Sequence, residues 1–292
     1  MAARETQFEA LGTQWRITWF DLGDVALSVL EQQIHVLLED FDRVYSRFRP
    51  DSLVAKMAVQ SGVYTMPESA GPMLELYQSL YRISQGAFTP LIGRALVDAG
   101  YDASYSLVPQ RPLTHPPAWD EALCWQPPTF EVQQPVLLDF GAGGKGHGID
   151  LVGQLSRNFG VRSFLIDGSG DFLHVTHDRE TVTIGLEDPE ATNQVIGTVA
   201  LAGGSLCGSA GNRRTWGEYT HILNPTSLTS PRHTLATWVV ADTALLADAL
   251  ATCLFFTPPA VLLQEFDFEY CMLGIDRSVR TSADFPGTIF TE

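Results

Sequence analysis

Apolar positions recur along this chain with two different periods. From Val25 to Phe48, the residues Leu30, Ile34, Leu37, Leu38, Phe41, Val44 and Phe48 return at three- and four-residue steps, which predicts a long amphipathic helix. A second helix is predicted over 72–84, ended by Gly86 in the C′ position. A third carries Ile149, Val152, Leu155 and Phe159 on one face and stops at Gly160. The stretch DTALLADALATCLFF is helical and apolar nearly all round, with Asp242 as its N-cap and Pro258 and Pro259 beyond its end. Strands are predicted at 13–20, at VLLDF (136–140), at VRSFLID (161–167) and at LATWVVA (235–241). An antiparallel pair is predicted at 171–176 with 181–186, and another near 195–207. Residues 100–135, rich in Pro, Tyr and Trp, read as irregular cover. One β-α-β unit among several hairpins predicts an α+β fold. With no repeat, low-complexity segment or flexible linker, a single domain over 1–292 is expected.

Composition narrows the function classes. Of the 292 residues 45% are hydrophobic and only 18% charged, so a sizeable core can form. Eighteen Lys and Arg stand against 34 Asp and Glu, a net charge of −16, which argues against a nucleic-acid partner held through its phosphates. No apolar run reaches the about 18 residues that a membrane span needs. The opening MAARETQFEALGTQWRITWF lacks the parts of a secretory signal, so the chain reads as cytoplasmic as it stands, and as periplasmic if a signal has been removed. Cys124, Cys207, Cys253 and Cys271 are far apart, and three lie in apolar runs, as free buried thiols do.

Three constellations could carry chemistry. The turn Gly141-Ala-Gly143-Gly-Lys145-Gly146 lies between a predicted strand and a helix, where bare amides and the helix dipole favour a phosphate. It also matches G-x-G-x-x-G, and Asp167 follows Gly146 by 21 residues, so a Rossmann-type NAD(P) oxidoreductase stays open at this point. Asp248 and Thr252, four residues apart, share one face of an apolar helix and offer two oxygens to a hard cation such as Mg²⁺, or to structural bonds within the helix. His221, in YTHILNP, has the chemistry of a general base. His174 and His177 read as surface residues, and CGSAG misses the nucleophile-elbow pattern at Cys207.

Taken in order, these segments resemble the ApbE family of flavin transferases, which move FMN from FAD onto a Thr or Ser of a target protein. LGTQWRI (11–17) resembles M-G-T-x-W-x-I, YSRFRPDSLVAKM (45–57) resembles the S-T-Y-x-P-D-S segment, and GAFTPLIG (86–93) resembles G-A-F-D-P-T-I-G. LLDFGAGGKGHGID (137–150) is similar to L-D-L-G-A-I-A-K-G-Y-A-V-D. FLIDGSGDF (164–172), GLEDP (185–189), HILNP (221–225) and LADALATCLF (246–255) are similar to the family's later motifs. The resemblance implies an α+β, T-fold-like domain with a mixed sheet, packed helices and hairpins. It implies that FAD, the substrate, contacts Leu11, Phe48, Ala87, Phe88, Thr89, Asp139 and Lys145. It implies Mg²⁺ on Asp248, Thr252 and the backbone carbonyl of Ala142, with His221 activating the hydroxyl of an acceptor flavoprotein. Asn224, Ala210 and Thr89 depart from the family residues, which leaves a non-catalytic flavin-binding protein as the alternative.

Overall fold

The computed structural model describes residues 3–110, 112–178 and 180–290. In chain order the helices are α1 (Leu27–Tyr45), α2 (Leu53–Met57), α3 (Ala70–Ile83), α4 (Gly93–Asp98), α5 (Trp119–Ala122), α6 (Gly144–Asn158), α7 (Ala244–Cys253) and α8 (Pro259–Leu262). The strands begin with β1 (Arg4–Ala10), β2 (Thr13–Asp21), β3 (Gly62–Thr65), β4 (Leu123–Gln126) and β5 (Thr129–Val132). They continue with β6 (Ser163–Asp167), β7 (Phe172–Val175), β8 (Val182–Asp188), β9 (Ala191–Leu201) and β10 (Gly204–Ala210). The last are β11 (Thr215–Trp216), β12 (Tyr219–Thr220), β13 (Thr234–Ala241), β14 (Glu269–Gly274), β15 (Val279–Thr281) and β16 (Gly287–Ile289).

An eight-stranded sheet, ordered β1-β2-β6-β7-β10-β13-β14-β15, forms the middle layer. Alternation along its strands sends side chains to two different cores. On β10 and β13, Cys207 and Val239 join Trp15, Leu38, Tyr77, Leu138, Val152 and Leu250 beneath the helices. Their neighbours Leu206 and Trp238 point the other way, into a core with Ile184, Leu186 and Val199. That second core is closed by a three-stranded sheet, β16-β9-β8. The fold is α+β, as expected from the sequence.

Several local expectations change. Every pairing in the large sheet is antiparallel, so it is not mixed, and a Rossmann crossover is excluded. VLLDF is buried but not a strand: it lies among the helices, and its amides bond to isolated carbonyls, Val136 to Met57 (3.1 Å) and Asp139 to Pro90 (2.7 Å). The segments 171–176 and 181–186 do not pair. β7 joins β6 and β10, while β8 pairs with β9 in the small sheet. β9 and β10 likewise fall in different sheets. Within 100–135, β4 and β5 form a small sheet with β3. Thr243, not Asp242, is the N-cap of α7, its hydroxyl accepting from the Leu246 amide at 3.2 Å. At the end of α3, Gln85 (φ +54°) precedes Gly86 (φ +87°) in left-handed backbone, so Gly86 stands one place beyond C′. The four cysteines are free, with Cys124 half-buried and the others buried.

A candidate functional cleft between the glycine turn and helix α7

The site is assembled where α6 and α7 meet. Gly146 sits so close to α7 that a Cβ there would lie 2.2 Å from the Ala244 carbonyl oxygen. This approach lets the Gly146 amide donate to Asp248 Oδ2 at 2.9 Å. Asp150, one turn further along α6, accepts from the amides of Ala244 (2.9 Å) and Leu245 (2.8 Å). It satisfies two of the orphan donors at the N-terminus of α7. The two helices are thereby locked in register, with Asp248 against the glycine turn and Thr252 one helical turn further along α7.

A cleft of about 980 Å³ opens beside this joint. All eleven residues singled out from the sequence line it: Leu11, Phe48, Ala87, Phe88, Thr89, Asp139, Ala142, Lys145, His221, Asp248 and Thr252. Leu11 holds left-handed backbone (φ +49°) in the β1–β2 turn. The Thr89 hydroxyl accepts from the Leu91 amide at 3.2 Å and caps a short 3₁₀ turn, as an Asp there would do. Asn224 Oδ1 likewise accepts from the amides of Thr226 (2.9 Å) and Ser227 (3.1 Å), a turn role that Asp fills equally well. Two of the three departures from the family residues therefore preserve local geometry.

Sequence reasoning missed three residues of this cleft. Asp171, 1% exposed, faces Lys145 Nζ at 2.7 Å and accepts from the Gly208 amide at 3.1 Å. Ser209 Oγ lies 3.0 Å from Thr252 Oγ1. Arg47 forms an ion pair with Asp139. Asp171 meets Gly208 where β7 pairs with β10, Ser209 meets Thr252 where α7 packs on β10, and the 45–49 segment docks Arg47 on Asp139, so no local spacing announces them. Asp171 lies within the quoted FLIDGSGDF segment, where the Gly-Asp step was the available signal. His174, expected on the surface, is 2% exposed, with Nδ1 3.0 Å from the Leu201 carbonyl; His177 is exposed.

The electrostatics are those of a poised polar site. Burial alone would lower the Lys145 pKa, but Asp171 and Asp248 raise it above its ordinary value. Burial, reinforced by Asp171, pushes the Asp248 carboxyl well above the usual carboxylate range, with Lys145 and the Gly146 amide opposing. Lys145 thus meets one acid directly, Asp171, and feels the charge of a second, Asp248. Among the described residues there is no group of three or more His, Cys, Asp or Glu placed to hold a metal. The local donors are instead one carboxylate (Asp248), one hydroxyl (Thr252) and a backbone carbonyl (Ala142). All are hard oxygens, and water and phosphate oxygens complete such a shell around Mg²⁺, so the residues present fit that ion. His221 follows β12, and its amide donates to the Arg214 carbonyl at 3.2 Å. Its Nδ1 is buried without a partner among the described residues. Burial, then Arg214, lowers its pKa to about 4, so the ring is neutral at physiological pH.

This antiparallel α+β scaffold, with a glycine turn abutting an Asp-bearing helix, also defines a family. Residues 11–269 match the ApbE family, and the chain belongs to it. It is 23% identical over 268 residues to an FAD:protein FMN transferase of Vibrio cholerae, covering 83% of this chain and 78% of that protein. It is 25% identical over 217 residues to an FAD:protein FMN transferase of Rhodobacter capsulatus, covering 70% of this chain but 41% of that longer one. The fold is similar to the crystal structure of the ApbE protein from Thermotoga maritima, with a TM-score of 0.85 at 21% identity over 97% of both chains. It is also similar to the flavin transferase ApbE from Vibrio cholerae, with a TM-score of 0.78 at 18% identity over 97% of this chain and 99% of that one.

Proposed function

We propose that this protein is an FAD:protein FMN transferase, acting as one domain on the hydroxyl of a Thr or Ser in a target flavoprotein and releasing AMP. The observation that carries the reading is the convergence of His221, Lys145, Asp248 and Thr252 on one cleft next to the glycine turn. Family membership and the names of its relatives point the same way.

In this reading FAD lies along the cleft with its diphosphate over the Ala142–Lys145 turn, where the first amides of α6 and its dipole favour negative charge. Lys145, held by Asp171 and by the Gly168 carbonyl (2.9 Å), presents a fixed ammonium to the phosphates. Mg²⁺ on Asp248, Thr252 and the Ala142 carbonyl would neutralise charge on the diphosphate. Neutral His221 accepts the proton of the acceptor hydroxyl. The hydroxyl oxygen bonds to the phosphorus of the FMN half, and the bond from that phosphorus to the AMP oxygen breaks. The negative charge of the bound diphosphate raises the basicity of His221 above that of the free protein.

The local substitutes at Thr89 and Asn224 keep the bonds that their positions require, which supports the transferase reading over a non-catalytic binder, while Ala210 lines the cleft without a hydroxyl. A two-part assay tests the proposal. Fluorescence titration should show FAD binding with no comparable response to NADH. Chromatography should then show AMP accumulating only when an acceptor protein is present. FAD binding without AMP release under any acceptor would reduce the protein to flavin binding.

A further inference from the structure

Arg47 is among the most deeply buried cations of the chain, its side chain 3% exposed. Its Nε is paired with Asp139, and its Nη1 donates to the Tyr101 carbonyl at 2.8 Å. Its Nη2 is buried and has no partner among the described residues. The guanidinium carbon lies 4.1 Å from the centre of the Phe48 ring and 4.6 Å from that of Tyr101, so cation–π contacts fix its plane. Arg47, Phe48, Tyr101 and Tyr105 all line the cleft described above. A buried guanidinium N–H left without an acceptor is costly, and such donors in native proteins find partners.

Asp139 is the less available of the pair. One of its oxygens accepts from the Gly141 amide at 2.7 Å, and the other holds Arg47. The surroundings also say what kind of ligand atom is wanted. Phe48 and Tyr105 are stacked, with centroids 5.4 Å apart and planes within 5°, and Tyr101 meets both edge-on. Tyr105 is 50% exposed and stands on left-handed backbone (φ +51°), so it is the ring most able to yield. A flat aromatic system fits against Phe48 in its place.

We propose that Arg47 is a substrate-binding residue: its open Nη2 donates to an acceptor atom, a carbonyl oxygen or ring nitrogen, on the edge of a planar heteroaromatic ring. Asp139 positions Arg47 rather than meeting the ring itself. The proposal rests on the flavin-nucleotide reading of the cleft. FAD carries two such rings, isoalloxazine and adenine, and the experiment tells them apart.

The full-length protein is titrated by calorimetry with FAD, FMN and AMP as wild type, Arg47→Lys and Asp139→Asn. Arg47→Lys keeps a cation beside Asp139 but removes the forked donor. It should weaken FAD about tenfold or more, and should weaken only one of FMN and AMP, which names the ring. Asp139→Asn should weaken FAD less than Arg47→Lys does. The paired variant Arg47→Met with Asp139→Leu removes both charges together and leaves none buried alone. It should hold its fold by thermal melting and show the same loss of FAD affinity as Arg47→Lys. Unchanged FAD binding by Arg47→Lys, a larger loss from Asp139→Asn, or an equal loss of FMN and AMP each overturns the proposal alone. Failure of the wild-type protein to bind FAD overturns it together with the transferase reading.

Discussion

Asp248 on α7 accepts a 2.9 Å hydrogen bond from the amide of Gly146 on α6, across 102 residues of sequence. The contact exists because residue 146 has no side chain. An added Cβ would meet the Ala244 carbonyl oxygen at 2.2 Å and Asp248 Cβ at 2.8 Å. Gly146→Ala should therefore cost roughly 1–3 kcal/mol or more, as overpacking does, and should displace Asp248 from the turn. Gly144→Ala is the control, since its nearest neighbour outside the turn, Phe140 Cβ, stands at 3.5 Å. Urea melts should rank Gly146→Ala well below wild type and Gly144→Ala close to it.

Asp150 is predicted to act on the site from outside it. Its carboxylate takes the first two amides of α7, so Asp150→Ala leaves those donors unpaired. The expected loss is about 1–2 kcal/mol, the upper part of the range for a lost N-cap. Because α7 carries Asp248 and Thr252, the variant should also need more Mg²⁺ for half-maximal turnover. A melt compared with a Mg²⁺ titration checks both, and a stability loss with unchanged Mg²⁺ demand would confine Asp150 to folding.

Much of this arrangement was legible in the chain. The predicted α1, α3, α6 and α7 stand within a few positions of the observed helices: α1 and α6 bury one apolar face, and α7 is buried nearly all round. The eleven candidate residues lie in ordered motifs, and what the structure adds is that they line one cleft. VLLDF misled because a buried apolar run looks the same whether strands or helices surround it. The distribution of β7 to β10 over two sheets was hidden because alternation gives faces, not partners. Arg47 was hidden for another reason: its partner Asp139 lies 92 residues away. His174 was misread because the segment HVTH gives no sign that β7 is an inner strand.

The state of His221 makes a pH prediction. Its folded-state pKa is lowered from 6.5 to about 4, so the ring stays neutral across pH 5–8, where an ordinary histidine would gain a proton. The acid limb of kcat/KM, which reports the free enzyme, should fall near pH 4 rather than near 6.5. The limb of kcat should lie higher, because bound diphosphate favours the protonated ring. His221→Ala should abolish turnover and leave FAD affinity nearly unchanged. A kcat/KM limb near 6.5 that survives in His221→Ala would assign the base elsewhere.

Asp248 tests the proposed cation site. Asp248→Asn keeps the size and one oxygen but removes the only formal anion of the donor set, and Asp248→Ala removes the group entirely. Both should abolish AMP release, while FAD binding is weakened rather than lost, because Lys145 and the amides of the turn remain. Assays across a Mg²⁺ series will show it. Wild-type turnover by Asp248→Asn at limiting Mg²⁺ would make Asp248 a purely structural helix residue.

The central claim is transfer of FMN to a protein hydroxyl, and intact-mass spectrometry of the acceptor reads it directly. A flavoprotein domain bearing the acceptor Thr is incubated with this protein, FAD and Mg²⁺, then denatured and weighed. The account predicts a covalent gain of one FMN unit, matched by AMP in solution. The gain should vanish when the acceptor Thr is replaced by Ala or when His221→Ala replaces the wild-type enzyme. An acceptor of unchanged mass beside intact FAD, with the wild-type protein folded and FAD-bound, would contradict it.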